Sequence, residues 1–223
     1  MRSNLKTKLV AAASIGIVAF GITACGDDGD SKDSSSSASA PKPVASIDAV
    51  SGKSTAIALD KGFTDALTSL KLTPGVTGGA ELTSEGSLVF PITGGNVTVF
   101  KPGQVSPYVI GQLQHVNSGL TLTAGDTVVK LSNLNVDPGV SRVYGDVYVN
   151  GELAASSAFL FQLDGRTLKP LKVEGSEAIL TGTKVEISDV AAGLLNDTFK
   201  TDAVTAGLLV GIATITVDTT AGA

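Results

Sequence analysis

Cysteine occurs once in this chain of 223 residues, histidine once and tryptophan not at all. Each scarcity removes a class of chemistry. A single thiol excludes an intramolecular disulfide and a cysteine-rich metal site. A single imidazole, His115, excludes a zinc centre built from several histidines. It would also have to serve any Ser-His-Asp triad, and no G-x-S-x-G elbow surrounds a serine. Aromatic residues make up only 4% of the chain, so stacking platforms for sugars are few. Basic residues are outnumbered, 16 Lys+Arg against 21 Asp+Glu, and they do not cluster. That balance argues against nucleic acid and against electrostatic adhesion to a membrane. The glycine pairs Gly78-Gly79 and Gly94-Gly95 lack the spacing of a dinucleotide or phosphate loop and read as turns. The apolar run over residues 9–22 has 14 residues. At about 1.5 Å per residue it is too short to span roughly 30 Å of hydrocarbon.

That run follows Arg2, Lys6 and Lys8 and ends in Ile22-Thr23-Ala24-Cys25. A basic start, a short apolar core and small residues before a cut describe an export signal. The tetrapeptide resembles a lipobox, the recognition sequence of bacterial lipoproteins. The resemblance implies cleavage between Ala24 and Cys25, diacylglycerol on the Cys25 thiol, and an extracytoplasmic protein anchored to the cell membrane by lipid. Two acyl chains suffice, since each buried methylene is worth about 0.8 kcal/mol. An ordinary signal peptide with an incidental cysteine is the alternative. Residues 1–24 hold three basic residues and no acid, so their removal takes the net charge from −5 to −8. The next 18 residues, 26–43, contain no large apolar side chain and read as a solvated tether. The expected organisation is a signal peptide over 1–24, a lipidated cysteine and tether over 25–43, and one globular domain over 44–223.

In the domain, Val, Thr, Gly, Leu and Ala dominate, and short β-branched runs alternate with glycine turns. The pattern predicts strands at 55–59, 87–93, 96–100, 109–114, 119–123, 127–136, 143–149, 158–163, 171–173, 177–181, 183–187 and 208–217. Asn150-Gly151 is the sharpest hairpin signal. Thr73-Pro74-Gly75 reads as a turn. Along 143–149, Val143, Gly145, Val147 and Val149 share one face, and Tyr144, Asp146 and Tyr148 share the other. Helical spacing appears twice. Over 62–70 it aligns Phe63, Ala66, Leu67 and Leu70. Over 189–199 it aligns Val190, Leu194, Leu195 and Phe199, with Ser188 as N-cap and Gly193 as a weak point. The fold class is therefore all-β, a mainly antiparallel sandwich or barrel-like sandwich with one or two short helices.

Candidate ligand contacts are His115, Tyr108, Tyr144 and Tyr148. His115 reads either as a residue bonded to backbone or water, as a ligand contact, or as a general base. Tyr144 and Tyr148 flank Asp146 and are either a partner-binding pair or strand cover. Asn133, Asn135 and Asp137 resemble half of a calcium loop. The sixth position is Pro138 and the twelfth Tyr144, where calcium loops need glycine and glutamate, so a strand running into a turn is the better reading. No metal site is expected. Paired carboxylates brought together by the fold would leave no signature in sequence, which keeps a hydrolase among the alternatives.

The order of elements from residue 59 to 217 is similar to that of the heme-transport-associated (HtaA-type) domain of Gram-positive cell envelopes. It runs LDKGFTDALTSL, then SEGSLVFPITGG, then G-x-L-x-H-x-x-S-G from Gly111 to Gly119, then an L-x-N-L-x-V-D strand, and last GLLVGIATITV. The resemblance implies the same fold and heme as a cofactor. It places His115 near the family's histidine. The family's heme-ligating tyrosine on the first helix has no counterpart here, where Ala66 and Leu67 stand. The leading functional reading is a lipid-anchored, non-catalytic binding or interaction module without a cofactor, with an unknown protein or small-molecule partner. A heme or small-ligand carrier using His115 and Tyr108 is second, and a carboxylate hydrolase third.

Overall fold

A computed structural model describes residues 40–219. The expected signal peptide, Ala24, the Cys25 anchor and most of the tether lie outside the described residues. The described chain is mostly antiparallel β, a half-barrel sheet with two short helices. Its strands are β1 (Ala45–Ile47), β2 (Lys53–Leu59), β3 (Thr73–Gly78), β4 (Glu81–Leu82), β5 (Ser87–Pro91), β6 (Gly94–Val99), β7 (Val109–Ala124), β8 (Thr127–Asp137), β9 (Arg142–Val149), β10 (Glu152–Asp164), β11 (Lys172–Glu174), β12 (Glu177–Ile187) and β13 (Leu209–Asp218). The helices are α1 (Lys61–Ser69) and α2 (Asp189–Phe199).

The sheet runs β1-β6-β7-β8-β9-β10-β12-β13-β2-β5-β4. β5 pairs with β2, and β6, which follows after two residues, pairs with β7. One stretch of chain thus belongs to both ends of the sheet and curls it round an interior. Buried Leu88, Val97, Leu113, Val143, Val185 and Val217 point inward. On β9 the expected alternation holds: Val143, Gly145 and Val147 are buried, while Tyr144, Asp146 and Tyr148 are half-buried on the outside. Asn150 and Gly151 sit at φ 52° and 91° between paired Val149 and Glu152, the two positive values a type I′ hairpin requires.

Four local expectations change. Segments 109–114 and 119–123 are one strand, β7. Its first part pairs with β6 and its second with β3, so a 16-residue strand serves two neighbours. Segments 177–181 and 183–187 likewise join through Gly182, which sits at φ 114°. Thr73-Pro74-Gly75 opens strand β3 instead of a turn. β3 pairs only with β7 and is an edge, where a missing proline N–H costs no ladder bond. Gly94-Gly95 opens β6 instead of turning.

The break inside β7 belongs to a line of bulges crossing the sheet. Asn117, Asn133 and Ser157 adopt φ 56°, 52° and 47°, and the registers of β7–β8, β8–β9 and β9–β10 slip at these points. Side chains tie the bulges together. Asn133 Oδ1 accepts from Asn117 N at 3.1 Å, and Asn133 Nδ2 donates to Asp146 Oδ2 at 2.9 Å. Asp146 Oδ1 accepts from Ser157 N at 3.0 Å and Ser156 Oγ at 3.2 Å. Bulges bend and twist strands, so this line sharpens the curl across four of them. The Asn133 amide, followed by the Ser157 N–H, holds the Asp146 carboxyl below its usual pKa.

Both helices cap the body. Ser188 Oγ accepts from Ala191 N at 2.9 Å, as its N-cap role requires. Ala191, Ala192 and Leu195 form the buried face of α2, while Val190, expected on that stripe, is exposed. Gly193 is exposed, and a Cβ there would meet no atom within 4 Å. Gly193→Ala is expected to stabilise the fold by about 1 kcal/mol, because alanine loses less backbone entropy in a helix. A denaturant midpoint that stays put or falls would contradict this.

Candidate functional site

The curled sheet encloses a cavity of about 480 Å³. Its wall is apolar and comes from every side of the curl: Ile57 and Phe90, Val97 and Leu113, Leu134 and Val143, Val185 and Ile215. Small-molecule sites fall in the range of roughly 300–1,000 Å³ and are lined mainly by such side chains. A well-packed interior holds few voids larger than a water molecule. This space is of small-molecule size and far beyond such voids.

Apart from Thr183 and the Tyr108 hydroxyl, the polar lining falls into two groups. Ser106, Ser141, Gln162, Asp164 and Arg166 are half-buried or exposed and mark the open side. Their charges and amides are largely satisfied among themselves. Arg166 Nε and Nη2 donate to the Asp164 carboxylate at 2.9 and 2.8 Å, and Gln162 Nε2 donates to Ser141 O at 2.8 Å. The Arg166 side chain drives the Asp164 pKa far below the usual carboxylate range. Asp164 is the one carboxylate lining the cavity among the described residues.

Deep in the wall sits the second group, His115 and Thr55, which are 1% and 5% exposed. β7 alternates inward at Val109, Leu113 and His115, so the imidazole points into the curl before the Asn117 bulge shifts the phase. Its Nδ1 lies 3.2 Å from Leu134 O on β8, and its Nε2 lies 2.8 Å from Thr55 Oγ1 on β2. The ring of Phe90 meets it edge-on at 6.3 Å between centroids. The side chain therefore bridges two walls that are far apart along the sheet. A carbonyl only accepts, so Nδ1 carries the proton and Nε2 accepts from the Thr55 hydroxyl. Burial holds the pKa down at about 4 against hydrogen bonds to the Leu134 and Leu113 carbonyls, which leaves the ring neutral at pH 7.

Tyr108 lines the same cavity as His115. Tyr144 and Tyr148 do not. They lie on the outer face of β9, Tyr144 packed 6.1 Å from the Phe159 ring and Tyr148 beneath Lys130 Nζ at 4.0 Å. Asn133 and Asp137 are engaged in the bulge line and in a turn where Asp137 Oδ1 accepts from Val140 N. No group of three or more metal-ligating side chains occurs among the described residues. Thr55 was missed by the sequence reading. The available signal was a hydroxyl at an inward position of an apolar strand, in register with Ile57 and Leu59.

A heme iron does not fit this donor set as it stands. Both nitrogens of the one imidazole are engaged within the protein, and α1 presents no tyrosine.

No protein-family model and no curated protein matches the sequence. Solved structures do. The C-terminal domain of HtaA from Corynebacterium glutamicum aligns with a TM-score of 0.52 at 14% identity, over 76% of this chain and 98% of that one. The heme binding protein HtaB of the same organism aligns with a TM-score of 0.48 at 11% identity, over 78% and 96%. At 14% identity the HtaA likeness establishes a shared fold. No helix among the described residues is long and apolar enough to cross a membrane.

Proposed function

We propose that this protein is a non-catalytic binding module of the cell envelope that carries an apolar small molecule inside its curled sheet. The cavity of about 480 Å³ with an apolar wall carries this reading. The export signal, the lipobox-like Cys25 and the polar tether support an extracytoplasmic site held to the membrane by lipid. A hydrolase reading finds no support in the cavity, where Asp164 is committed to Arg166.

The test uses the full chain with Cys25→Ser, so that no attached acyl group competes. N-phenyl-1-naphthylamine, a neutral apolar dye, is expected to brighten on binding at one site per chain. Ala213 is 4% exposed and lines the cavity. Ala213→Phe is expected to reduce dye affinity at least tenfold by occupying the space. A dye that does not bind, or that ignores this substitution, would rule the carrier role out.

Heme is the second reading. The resemblance to heme-transport-associated domains supports it, and ligation would require His115 Nε2 to release the Thr55 hydroxyl. Hemin titration separates the two. A Soret shift that disappears in His115→Gln supports heme ligation, and a spectrum indifferent to that change leaves only an apolar ligand.

A further inference from the structure

On the reading of the cavity as a ligand site, on which this inference rests, we propose that the ligand is a neutral, largely hydrocarbon molecule with one O–H donor. A long-chain or alicyclic alcohol has this chemistry, and its hydroxyl would bond to Thr55 Oγ1.

The direction of the buried hydrogen bonds decides the class. Nδ1 of His115 must donate to Leu134 O, so Nε2 must accept, and Thr55 spends its only proton there. What Thr55 has left is acceptor capacity on Oγ1, which has no other partner among the described residues. The Thr55–His115 pair thus offers the cavity a lone pair and no proton. A ketone, an ether or an ester placed there would set acceptor against acceptor, whereas a hydroxyl completes the chain O–H to Thr55 to His115 to Leu134. Chains of this kind reinforce one another in a low-dielectric interior.

Charge is excluded at both ends. The His115 end is neutral, and an ion buried there would lack a counter-charge. At the open side Arg166 spends two of its five N–H donors on Asp164, whose negative charge opposes an anionic head beside it. The hydrocarbon character follows from the aliphatic wall, represented by Ile57, Leu113, Val143 and Ile215.

The experiment compares two isomers of equal size, 1-decanol and 1-methoxynonane, by native mass spectrometry and calorimetry on the full chain with Cys25→Ser. Decanol is expected to bind about tenfold tighter, since a site with a buried acceptor favours the ligand that supplies a donor. Thr55→Val is expected to lower the ratio, since only the His115 Nε2 lone pair is then left to accept from the ligand, and Thr55→Ser to keep it. Equal binding of the two isomers by the unaltered protein would overturn the donor assignment and leave the cavity reading intact. Binding of neither would overturn the cavity reading itself. Decanoate binding more tightly than decanol would overturn neutrality and point to Arg166 as an anion site. Should Thr55→Val fail to fold, the ratio in the unaltered protein and in Thr55→Ser still decides.

Discussion

Between pH 6.5 and pH 4 the protein is expected to lose about 3 kcal/mol of folding stability through His115 alone. In the unfolded chain the ring takes up its proton near 6.5, whereas burial in the fold delays protonation to about 4. Each unit of that difference is worth about 1.4 kcal/mol. Throughout the window the unfolded state binds more protons than the folded one, so stability is complete above 6.5 and declines as acid is added. No carboxylate is among the groups that set this shift; the opposing contributions are carbonyl hydrogen bonds from Leu134 and Leu113. Urea titrations of the unaltered protein and of His115→Gln, repeated at steps of pH, read the effect directly. The variant should show a much flatter profile in this window. Identical slopes would show that the ring is not held neutral. Asp146 acts in a different window. Its pKa is lowered by Asn133, Ser157 and Ser156, so its contribution is present above the ordinary carboxylate value and is lost only below it.

A single methyl group at Gly119 is expected to cost about 3 kcal/mol or more, lowering the melting temperature by roughly 10 °C. Gly119 lies on β7 beside the bulge, where it pairs with Ser132 of β8. A Cβ there would stand 1.9 Å from Leu131 O and 2.9 Å from Ser132 Cα. Both are backbone atoms of β8, so no side chain can swing aside. Relief requires β7 and β8 to separate, at the point where the ladder also carries His115 onto Leu134. Gly119→Ala should therefore weaken dye binding as well as stability. Gly193→Ala provides the control, since it adds the same methyl into open space and should act in the opposite direction. A melting point within about 2 °C of the unaltered protein would show that the two strands accommodate the methyl.

Much of the secondary structure was legible because its causes are local. The Asn150-Gly151 turn, the alternation along β9 and the Ser188 cap each depend on residues within a few positions of one another. The resemblance to heme-transport-associated domains anticipated the fold shared with the HtaA C-terminal domain. The errors have a common origin. Pro74 and the Gly94-Gly95 pair look like turns in isolation, yet they sit in strands because of the neighbours they pair with. The two halves of β7 looked separate because the bulge at Asn117 interrupts the period of two. Nothing local reveals that three such bulges line up across β7, β8 and β10, or that Asp146 ties two of them.

Composition and local spacing account for the inventory: one thiol, one imidazole, no basic cluster, and a strand-rich body with two amphipathic helical segments. Those follow from composition and from spacings of two, three and four residues. Long-range strand pairing is what curls the sheet round a cavity, lines it with His115 and Tyr108 while Tyr144 and Tyr148 face outward, and brings Thr55 into the buried polar pair. Thr55 and His115 are 60 residues apart in the chain. Their meeting depends on the register of every strand between them, and a long-range register is a property of the whole sheet that no local pattern of residues encodes.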